Sequence, residues 1–404
     1  MSARSRRLVG SSLGATIILA VAAYLPLTLL SPVQLVSQST ADFAKPTPTA
    51  AALVWPKFGA AGVGAVGFPA ASKSAGDTKP QSIASITKII TCLVVLQKMP
   101  ITGNDVGPVI TFSADDVALK AKYDALQGET KPIIAGRTIT ERDLMSVALI
   151  ASANNYAAAL ANWAYGSQEE FVSATAAWLT VQGLGDTTIL EPTGINPANK
   201  STPRDLVKIG MMALQNTTIA SIIALPSFTL SGLGTITNTN SLLGNEGIDG
   251  IKTGTLKGVG SDLLFSATYP VGEKNIIIVG VIVGAPNRVT LNLAVRELLA
   301  SVKAGFHLLS LTTAGQKFSN YRTGWNDRAS AVALTSNSIV VWSNPAVTVT
   351  VDATPLRSAR QGAAVGSVRF TIGDSIISVP LRLDRTLGEP SILWRLTNPA
   401  ALFG

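Results

Sequence analysis

The sequence predicts an α/β domain followed by a small all-β, sandwich-like domain. Between residues 53 and 305, runs with helical periodicity are interspersed with runs that are typical of strands. From about Asn320 onward the chain contains short apolar runs separated by turn residues, such as Val347–Val351 and Ile376–Leu383. A chain of 404 residues is long enough for two domains. We therefore expect the domains to cover residues 53–305 and 306–404.

The N-terminal segment predicts export from the cytoplasm. Arginines near the N-terminus precede an uncharged stretch from Leu8 to Ala41, whose apolar part is long enough to cross a bilayer. Positive charge before such a stretch favours an N-terminus on the inside and an exported remainder. Residues 1–36 are interpreted either as a signal peptide that is removed or as an uncleaved anchor in the cell membrane. The nearest small-x-small cleavage candidate, Ser39–Ala41, comes late after the apolar part.

The elements that follow begin with a linker. Residues 37–52 contain the Lys-Pro-Thr-Pro-Thr run and predict an extended connection. Ala60–Val66 is typical of a strand, and a helix is expected from Ile83 onward with Ser85 near its start. Thr140 has the features of an N-cap, so a second helix is expected to begin there.

The rest of the predicted α/β domain alternates between helix and strand signals. Asn154 is expected to mark the end of the second helix, and Ser201–Asp205 has the composition of a helix start. Leu263–Thr268 and Asn275–Val283 are typical of strands. Arg296–Phe306 is expected to be the closing helix of this domain.

Composition argues against several classes of function. Charged residues make up 14% of the chain, against about 25% in typical soluble domains. The net charge of +8 is scattered without a basic stripe, so no nucleic-acid partner is predicted and weak attraction to an anionic envelope surface is favoured. The single cysteine, Cys92, lies in an apolar run and is interpreted as a buried residue. One cysteine and one histidine exclude an internal disulfide and a zinc site, and no cofactor is predicted.

Ser85 and Lys88 form the most informative pair in the sequence. Residues three apart on a helix share a face, so the amine can lie beside the hydroxyl. A serine needs a base to become a nucleophile, usually an imidazole, but the single histidine, His307, is far downstream. Lysine would therefore have to be the base. Because a free lysine titrates near ~10.4, it must be desolvated or placed near a second cation, for which Lys252 is the candidate.

Two further short motifs follow in a fixed order. Ser152-Ala153-Asn154 comes 67 residues after Ser85, and Lys252-Thr253-Gly254 comes 100 residues after Ser152. Each motif alone occurs by chance on many surfaces and turns. Together, in this order and at these distances, they are far more specific.

On these residues the chain resembles the serine-type D-Ala-D-Ala carboxypeptidases, low-molecular-mass penicillin-binding proteins of the β-lactamase/transpeptidase-like superfamily. Pro192–Thr202 and Gly284–Arg288 also match, and the resemblance covers about residues 53–305. It implies a penicillin-binding fold, in which an antiparallel sheet flanked by helices is joined to an all-helical lobe. It also implies an enzyme of the cell envelope that trims peptidoglycan stem peptides ending in D-Ala-D-Ala, binds β-lactam antibiotics and uses neither metal nor cofactor.

The resemblance implies a role for each motif residue. Ser85 would form the acyl-enzyme, Lys88 would take the serine proton, and Ser152 would relay a proton to the departing D-alanine. Asn154 would bind the substrate amide and Lys88. The other substrate-binding residues would be Lys252, Thr253, Gly254 and Thr255, the last supplying an oxyanion-hole N–H beside that of Ser85.

Alternatives remain open within and outside this chemistry. Glu191-Pro192 with Asn196 resembles the segment that carries the deacylating glutamate of class A β-lactamases. Endopeptidase or transpeptidase action depends on the shape of the groove, and a non-catalytic envelope protein could keep the same fold. Ser82 and Ile83 stand where the family often has a proline, and Asn155 replaces a frequent aspartate, so the framing of the site departs from the common pattern.

Overall fold

The computed structural model describes residues 3–103 and 105–403 of the chain. The helices are α1 (Ala3–Leu30), α2 (Thr87–Lys98), α3 (Ala114–Ala125), α4 (Glu141–Ile150), α5 (Asn154–Tyr165), α6 (Gln168–Val181), α7 (Pro203–Gln215), α8 (Thr217–Ile223), α9 (Arg288–Ala304), α10 (Ile392–Thr397) and α11 (Ala400–Phe403), with a 3₁₀ helix at Ala84–Ile86.

The strands follow the same order along the chain. They are β1 (Ser37–Thr40), β2 (Ala60–Ala65), β3 (Phe68–Gly76), β4 (Gln81–Ser82), β5 (Val109–Thr111), β6 (Thr138–Thr140), β7 (Lys200–Ser201), β8 (Ser227–Leu230), β9 (Gly234–Thr237), β10 (Ile248–Leu256), β11 (Gly260–Val271), β12 (Lys274–Ala285), β13 (Phe306–Thr312), β14 (Lys317–Arg322), β15 (Arg328–Ala333), β16 (Asn337–Trp342), β17 (Val347–Ala353), β18 (Ala364–Ile372) and β19 (Ser375–Leu383).

The chain divides into two compact units. The larger unit comprises Thr49–His307 and Val340–Ser343, and the β-rich unit comprises the chain up to Pro48, Leu308–Ile339 and the residues from Asn344 onward. The expected domains, 53–305 and 306–404, differ from these units chiefly at the N-terminus. Part of the expected linker, Ser37–Thr40, is strand β1 and pairs with β14, which places it in the β-rich unit.

The larger unit is built on an antiparallel sheet with the strand order β10-β11-β12-β2-β3. Side chains alternate across this sheet, as the pleat requires. Val279, Val281 and Val283 of β12 join the core on the face where α7 packs, whereas Ile278 and Ile282 join the core on the face covered by α9. The sheet is therefore covered by helices on both faces, as the resemblance implies.

A helical lobe adjoins one face of this sheet. Helix α2 contacts α4, α5, α6 and α7, and it is buried along most of its length from Thr87 to Leu96. This burial explains its sequence, because a helix that is covered on every side has no need of a polar face. The expected combination of a helix-flanked antiparallel sheet and an all-helical lobe is confirmed.

Several helices begin at a residue whose side chain caps them. Thr140 caps α4 and accepts from the backbone N–H of Asp143, and Thr202 caps α7 with Pro203 in the first turn. Two boundaries differ from expectation. Asn154 begins α5 instead of ending α4. Helix α9 begins at Arg288, eight residues before Arg296, because the Asn287 side chain accepts from Thr290 N at 2.9 Å and caps it.

The β-rich unit contains an antiparallel sheet with the strand order β1-β14-β15-β19-β18-β17. Phe318 and Phe370 meet edge to face in its core, with ring centroids 6.4 Å apart. The expected all-β region after the α/β domain is confirmed. Helix α1 belongs to the same unit. Among the described residues, it is the one single helix that is long and apolar enough to cross a membrane, through its stretch Leu13–Leu30.

Candidate active site

Ser85 lies on the 3₁₀ helix Ala84–Ile86, immediately before α2. Ala84 has a positive φ of 42°, which turns the chain sharply at the start of this helix. Its neighbours Ile83 and Ile86 are buried, whereas Ser85 is half-buried and reachable. The turn therefore presents one hydroxyl from an otherwise apolar segment.

Lys88 is fully buried, and its amine contacts three oxygens. The distances from Lys88 Nζ are 2.8 Å to Ser85 Oγ, 2.6 Å to Asn154 Oδ1 and 2.7 Å to the backbone O of Thr193. A carbonyl oxygen and an amide oxygen only accept, so they take the two N–H bonds of a neutral amine. The lone pair of that amine then faces Ser85 Oγ, the one partner of the three with a proton to give.

Electrostatics favours this neutral amine. Burial lowers the pKa of Lys88 from 10.5 to about 7, although Glu191 and Glu129 act in the opposite direction. The loss of hydration penalises the charged form of a buried lysine. A substantial fraction of Lys88 is therefore neutral at neutral pH, as a base requires.

Ser152 lies in the short link between α4 and α5. Its φ of 59° is unusual for a residue with a side chain, and it is buried. Lys252 Nζ lies 3.0 Å from Ser152 Oγ. Asn154 is placed at the first turn of α5, where its backbone N–H donates to Glu129 O at 2.7 Å. This segment therefore places the Ser152 hydroxyl beside Lys252 and the Asn154 side-chain amide beside Lys88.

Lys252, Thr253, Gly254 and Thr255 lie on β10, an edge strand of the sheet. Burial lowers the pKa of Lys252, and the nearby Lys88 and Arg288 lower it further. At Gly254 a Cβ atom would lie 3.2 Å from Ala84 Cβ and 3.1 Å from Asp262 Oδ2. Strand β10 therefore passes directly beside the turn that carries Ser85.

Two residues to which the sequence analysis assigned no role, Thr239 and Arg288, complete this edge. Thr239 Oγ1 lies 2.7 Å from Thr253 Oγ1. Arg288 Nη1 donates to Thr239 O at 3.1 Å, and Arg288 Nε donates to Thr255 Oγ1 at 3.4 Å. Arg288 lies in the Gly284–Arg288 stretch that resembles the family, and this resemblance could have identified it as a residue of the site. No feature of the sequence identifies Thr239, because its position depends on packing between distant segments.

Glu191 organises the loop that holds Lys88. Its carboxylate accepts from Thr193 N at 2.8 Å, Gly194 N at 2.6 Å and Asn199 Nδ2 at 2.9 Å. These bonds orient the Thr193 carbonyl toward Lys88. Gly194 has a φ of 82° and packs so closely that a Cβ atom would lie 1.8 Å from Ala84 O.

A cleft of about 690 Å³ opens beside this loop. Tyr123, Gln168, Asn196 and Lys257 are among the residues that line it. Its size is in the range of small-molecule and peptide sites. Over the described ranges, no group of three or more His, Cys, Asp and Glu side chains is arranged to hold a metal ion.

His307 and Cys92 take no part in these contacts. His307 Nε2 accepts from the backbone N–H of Thr49 at 3.4 Å. Cys92 is a free, buried thiol within α2. The geometry at Ser85 thus brings its hydroxyl within hydrogen-bonding distance of the Lys88 amine, as the spacing of the two residues predicts.

Comparison with known proteins agrees with this geometry. The family described as D-alanyl-D-alanine carboxypeptidase matches residues 73–287, which is more than half of the chain. A D-alanyl-D-alanine endopeptidase of Pseudomonas aeruginosa is 31% identical, over 48% of this chain and 62% of that protein. A Streptomyces D-alanyl-D-alanine carboxypeptidase is also 31% identical, over 50% of this chain and 72% of that protein.

Solved structures extend the likeness to most of the chain. Penicillin-binding protein 5 of Haemophilus influenzae superimposes with a TM-score of 0.57 at 21% identity, over 86% of this chain and 100% of that one. At this identity the likeness shows the fold alone. The chain spans 62% of the length of the Pseudomonas aeruginosa endopeptidase, and 50% and 58% of the length of two related Escherichia coli proteins, a D-alanyl-D-alanine carboxypeptidase and a D-alanyl-D-alanine endopeptidase. The chain belongs to the D-alanyl-D-alanine carboxypeptidase family, with the penicillin-binding fold.

Proposed function

We propose that this chain is an exported serine D-Ala-D-Ala carboxypeptidase of the cell envelope. It removes the terminal D-alanine from peptidoglycan stem peptides through an acyl-enzyme on Ser85, and β-lactam antibiotics acylate the same serine. The observation that carries the proposal is the contact of Lys88 Nζ with Ser85 Oγ at 2.8 Å, made by a buried amine whose other two partners only accept hydrogen bonds.

Acylation begins with attack of Ser85 Oγ on the carbonyl carbon of the penultimate D-alanine. The serine proton passes to Lys88 Nζ, and the carbonyl oxygen becomes an oxyanion that accepts from the backbone N–H groups of Ser85 and Thr255. The close approach of Gly254 to Ala84 supports this pairing of donors. The oxyanion then collapses and the C–N bond breaks, leaving the acyl-enzyme.

The departing amine needs a proton, which we assign to Ser152. Its hydroxyl gives that proton to the leaving nitrogen and takes up the proton that Lys88 gained from Ser85, so that Lys88 is neutral again. Lys252 Nζ, 3.0 Å from Ser152 Oγ, holds this hydroxyl in place. In deacylation, water attacks the ester carbonyl, and its proton moves through Lys88 as Ser85 Oγ leaves with a proton. The products are free D-alanine and the shortened peptide.

The substrate carboxylate is held at the positive end of β10. Arg288 supplies a guanidinium there, and Lys252 and Thr253 supply N–H and O–H donors. Arg288 is fixed by its contacts with Thr239 O and Thr255 Oγ1. A free C-terminal carboxylate is the group that separates a terminal D-Ala-D-Ala from an internal peptide bond. This charge pattern favours the carboxypeptidase over a general peptidase.

The environment of Glu191 argues against the β-lactamase alternative. A deacylating glutamate must be free to take a proton from water. Here both carboxylate oxygens accept from groups of its own loop, including Thr193 N and Gly194 N. We therefore assign Glu191 a positioning role and expect a slowly hydrolysed penicillin adduct.

The test is mass spectrometry of the purified full chain with a penicillin and, separately, with a D-Ala-D-Ala peptide. We expect release of one D-alanine per peptide and one covalent adduct on Ser85, both lost in Ser85→Ala. Ser72→Ala, a change at an exposed serine, should keep both. Prompt turnover of penicillin would identify the protein as a β-lactamase. Cleavage restricted to cross-linked peptide dimers would identify it as an endopeptidase. The absence of any penicillin adduct would indicate a non-catalytic protein.

A further inference from the structure

The segment that follows the apolar helix is part of the β-rich sheet. Strand β1 pairs antiparallel with β14, with Ser39 opposite Asn320 and Thr40 opposite Ser319. The ladder continues past the strand, because Ala41 N donates to Phe318 O at 3.0 Å. The cleavage candidate Ser39–Ala41 therefore lies within this paired segment, and cutting there would remove the edge strand of the sheet.

The chain between helix and strand is also held in place. Arg395 Nη1 donates to Ser31 O at 2.7 Å, and Arg357 Nε donates to Val33 O at 2.9 Å. Val33 and Val36 are buried, and Val36 N donates to Leu356 O at 2.7 Å. Such a segment is built into the domain, unlike the flexible region that usually surrounds a processing site.

The C-terminal helix α10 packs against α1 close to the end of its apolar stretch. Tyr24 Oη donates to Leu396 O at 2.6 Å, six residues before α1 ends at Leu30. On α10, Ile392 is 68% exposed and Leu393 is 72% exposed. Trp394 and Trp325 stack edge to face with centroids 5.5 Å apart, and tryptophan is enriched at membrane interfaces.

We infer that α1 is an uncleaved membrane anchor built into the β-rich unit, and that α10 lies in the outer interfacial layer of the same bilayer with Ile392 and Leu393 in lipid. The occupant of this apolar surface is the bilayer, because α10 packs against the end of the helix that crosses it. The inference rests on the proposed export of the chain, but it is independent of the reaction at Ser85.

The first test is the intact mass of the tagged full chain after expression in a bacterium and membrane fractionation. We expect the mass of the complete 41.8 kDa chain plus its tag, in membranes from which alkaline carbonate does not extract it. A membrane-free exported chain that begins near Asp42 would overturn the inference and leave the proposed function standing. A full-length chain in the cytosol would overturn both.

The second test asks whether β1 is paired in the mature protein. Ser39→Cys with Asn320→Cys should form an intramolecular disulfide, because directly opposed residues have Cβ atoms about 5 Å apart. Ser39→Cys with Thr350→Cys is the matched control, since Thr350 lies on β17 at the far edge of the sheet. Equal yields from the two pairs, or none from either, would contradict the pairing.

The third test concerns the lipid contact of α10. Leu393→Cys and Ile376→Cys place a thiol at similarly exposed positions, 72% and 68%, on α10 and on β19. In nanodiscs holding one chain each, a water-soluble maleimide should label Leu393→Cys about tenfold more slowly, because interfacial side chains are shielded from water. Equal labelling rates would refute the placement of α10 in lipid.

Discussion

Lys88 should control the pH dependence of acylation. Burial lowers the pKa of Lys88 to about 7, and only the neutral amine can accept the Ser85 proton. Because the neutral amine is populated as pH rises through the pKa of Lys88, the acylation rate should rise with pH around neutrality and then level off. The neutral fraction increases from about 10% at pH 6 to about 90% at pH 8, which predicts a roughly tenfold rise in rate.

The matching substitution is Lys88→Arg, which keeps the charge and the donors but removes the base. A guanidinium does not lose its proton in proteins, so acylation should fall by about 10²–10⁴ and gain nothing at higher pH. Lys98→Arg, at an exposed position on the same helix, is the control and should leave the rate unchanged.

The assay is stopped-flow acylation by a fluorescent penicillin between pH 5.5 and 9, with the chain kept folded throughout. A flat pH profile over this range would show that the amine of Lys88 does not titrate in the reaction. An arginine variant that retained activity within tenfold of the natural enzyme would equally refute its role as base, since about two orders of magnitude is the least that such a base contributes.

Three further substitutions or treatments test the surroundings of the site. Gly254→Ala should slow acylation without unfolding the protein, because its Cβ would press on Ala84; stopped-flow rates and circular dichroism separate the two effects. Burial raises the pKa of the Asp262 carboxyl to about 7, so its ionised form lowers the free energy of unfolding as pH rises. Asp262→Asn should therefore stabilise the protein by about 4 kcal/mol above pH 7 and hardly at all below pH 4. A difference in melting temperature between variant and natural protein that stays constant with pH would contradict this. Cys92 should resist thiol reagents until the chain unfolds, because burial raises its pKa.

The motifs of the site were predictable because each is local in sequence. The spacing of Ser85 and Lys88 on one turn needs no knowledge of the fold, and the order of the three motifs narrowed the chemistry to one family. The third partner of Lys88 was not predictable. The Thr193 carbonyl reaches the amine only because Glu191 bonds to the backbone of its own loop, and a loop conformation has no periodic signature.

The fold shows the same division between local and non-local information. Amphipathic and apolar periodicity identified β2, α4 and β12 within a few residues. The start of α9 was placed eight residues late, because the Asn287 cap was not recognised as one. Ser37–Thr40 was interpreted as linker because it is polar. Strand β1 is exposed along its length, so its pairing with β14 requires no apolar residues that the sequence could have shown.

Two glycines enclose the turn that carries the nucleophile. Gly194 approaches the carbonyl of Ala84 from one side, and Gly254 approaches its Cβ from the other. The main chain at Ser85 is thus confined by neighbouring backbone, and the conformational entropy of ordering it is lost during folding, before any substrate arrives. In the proposed reaction, substrates of different length would therefore meet Ser85 in the same fixed position, and selection among them would depend on residues outside this turn.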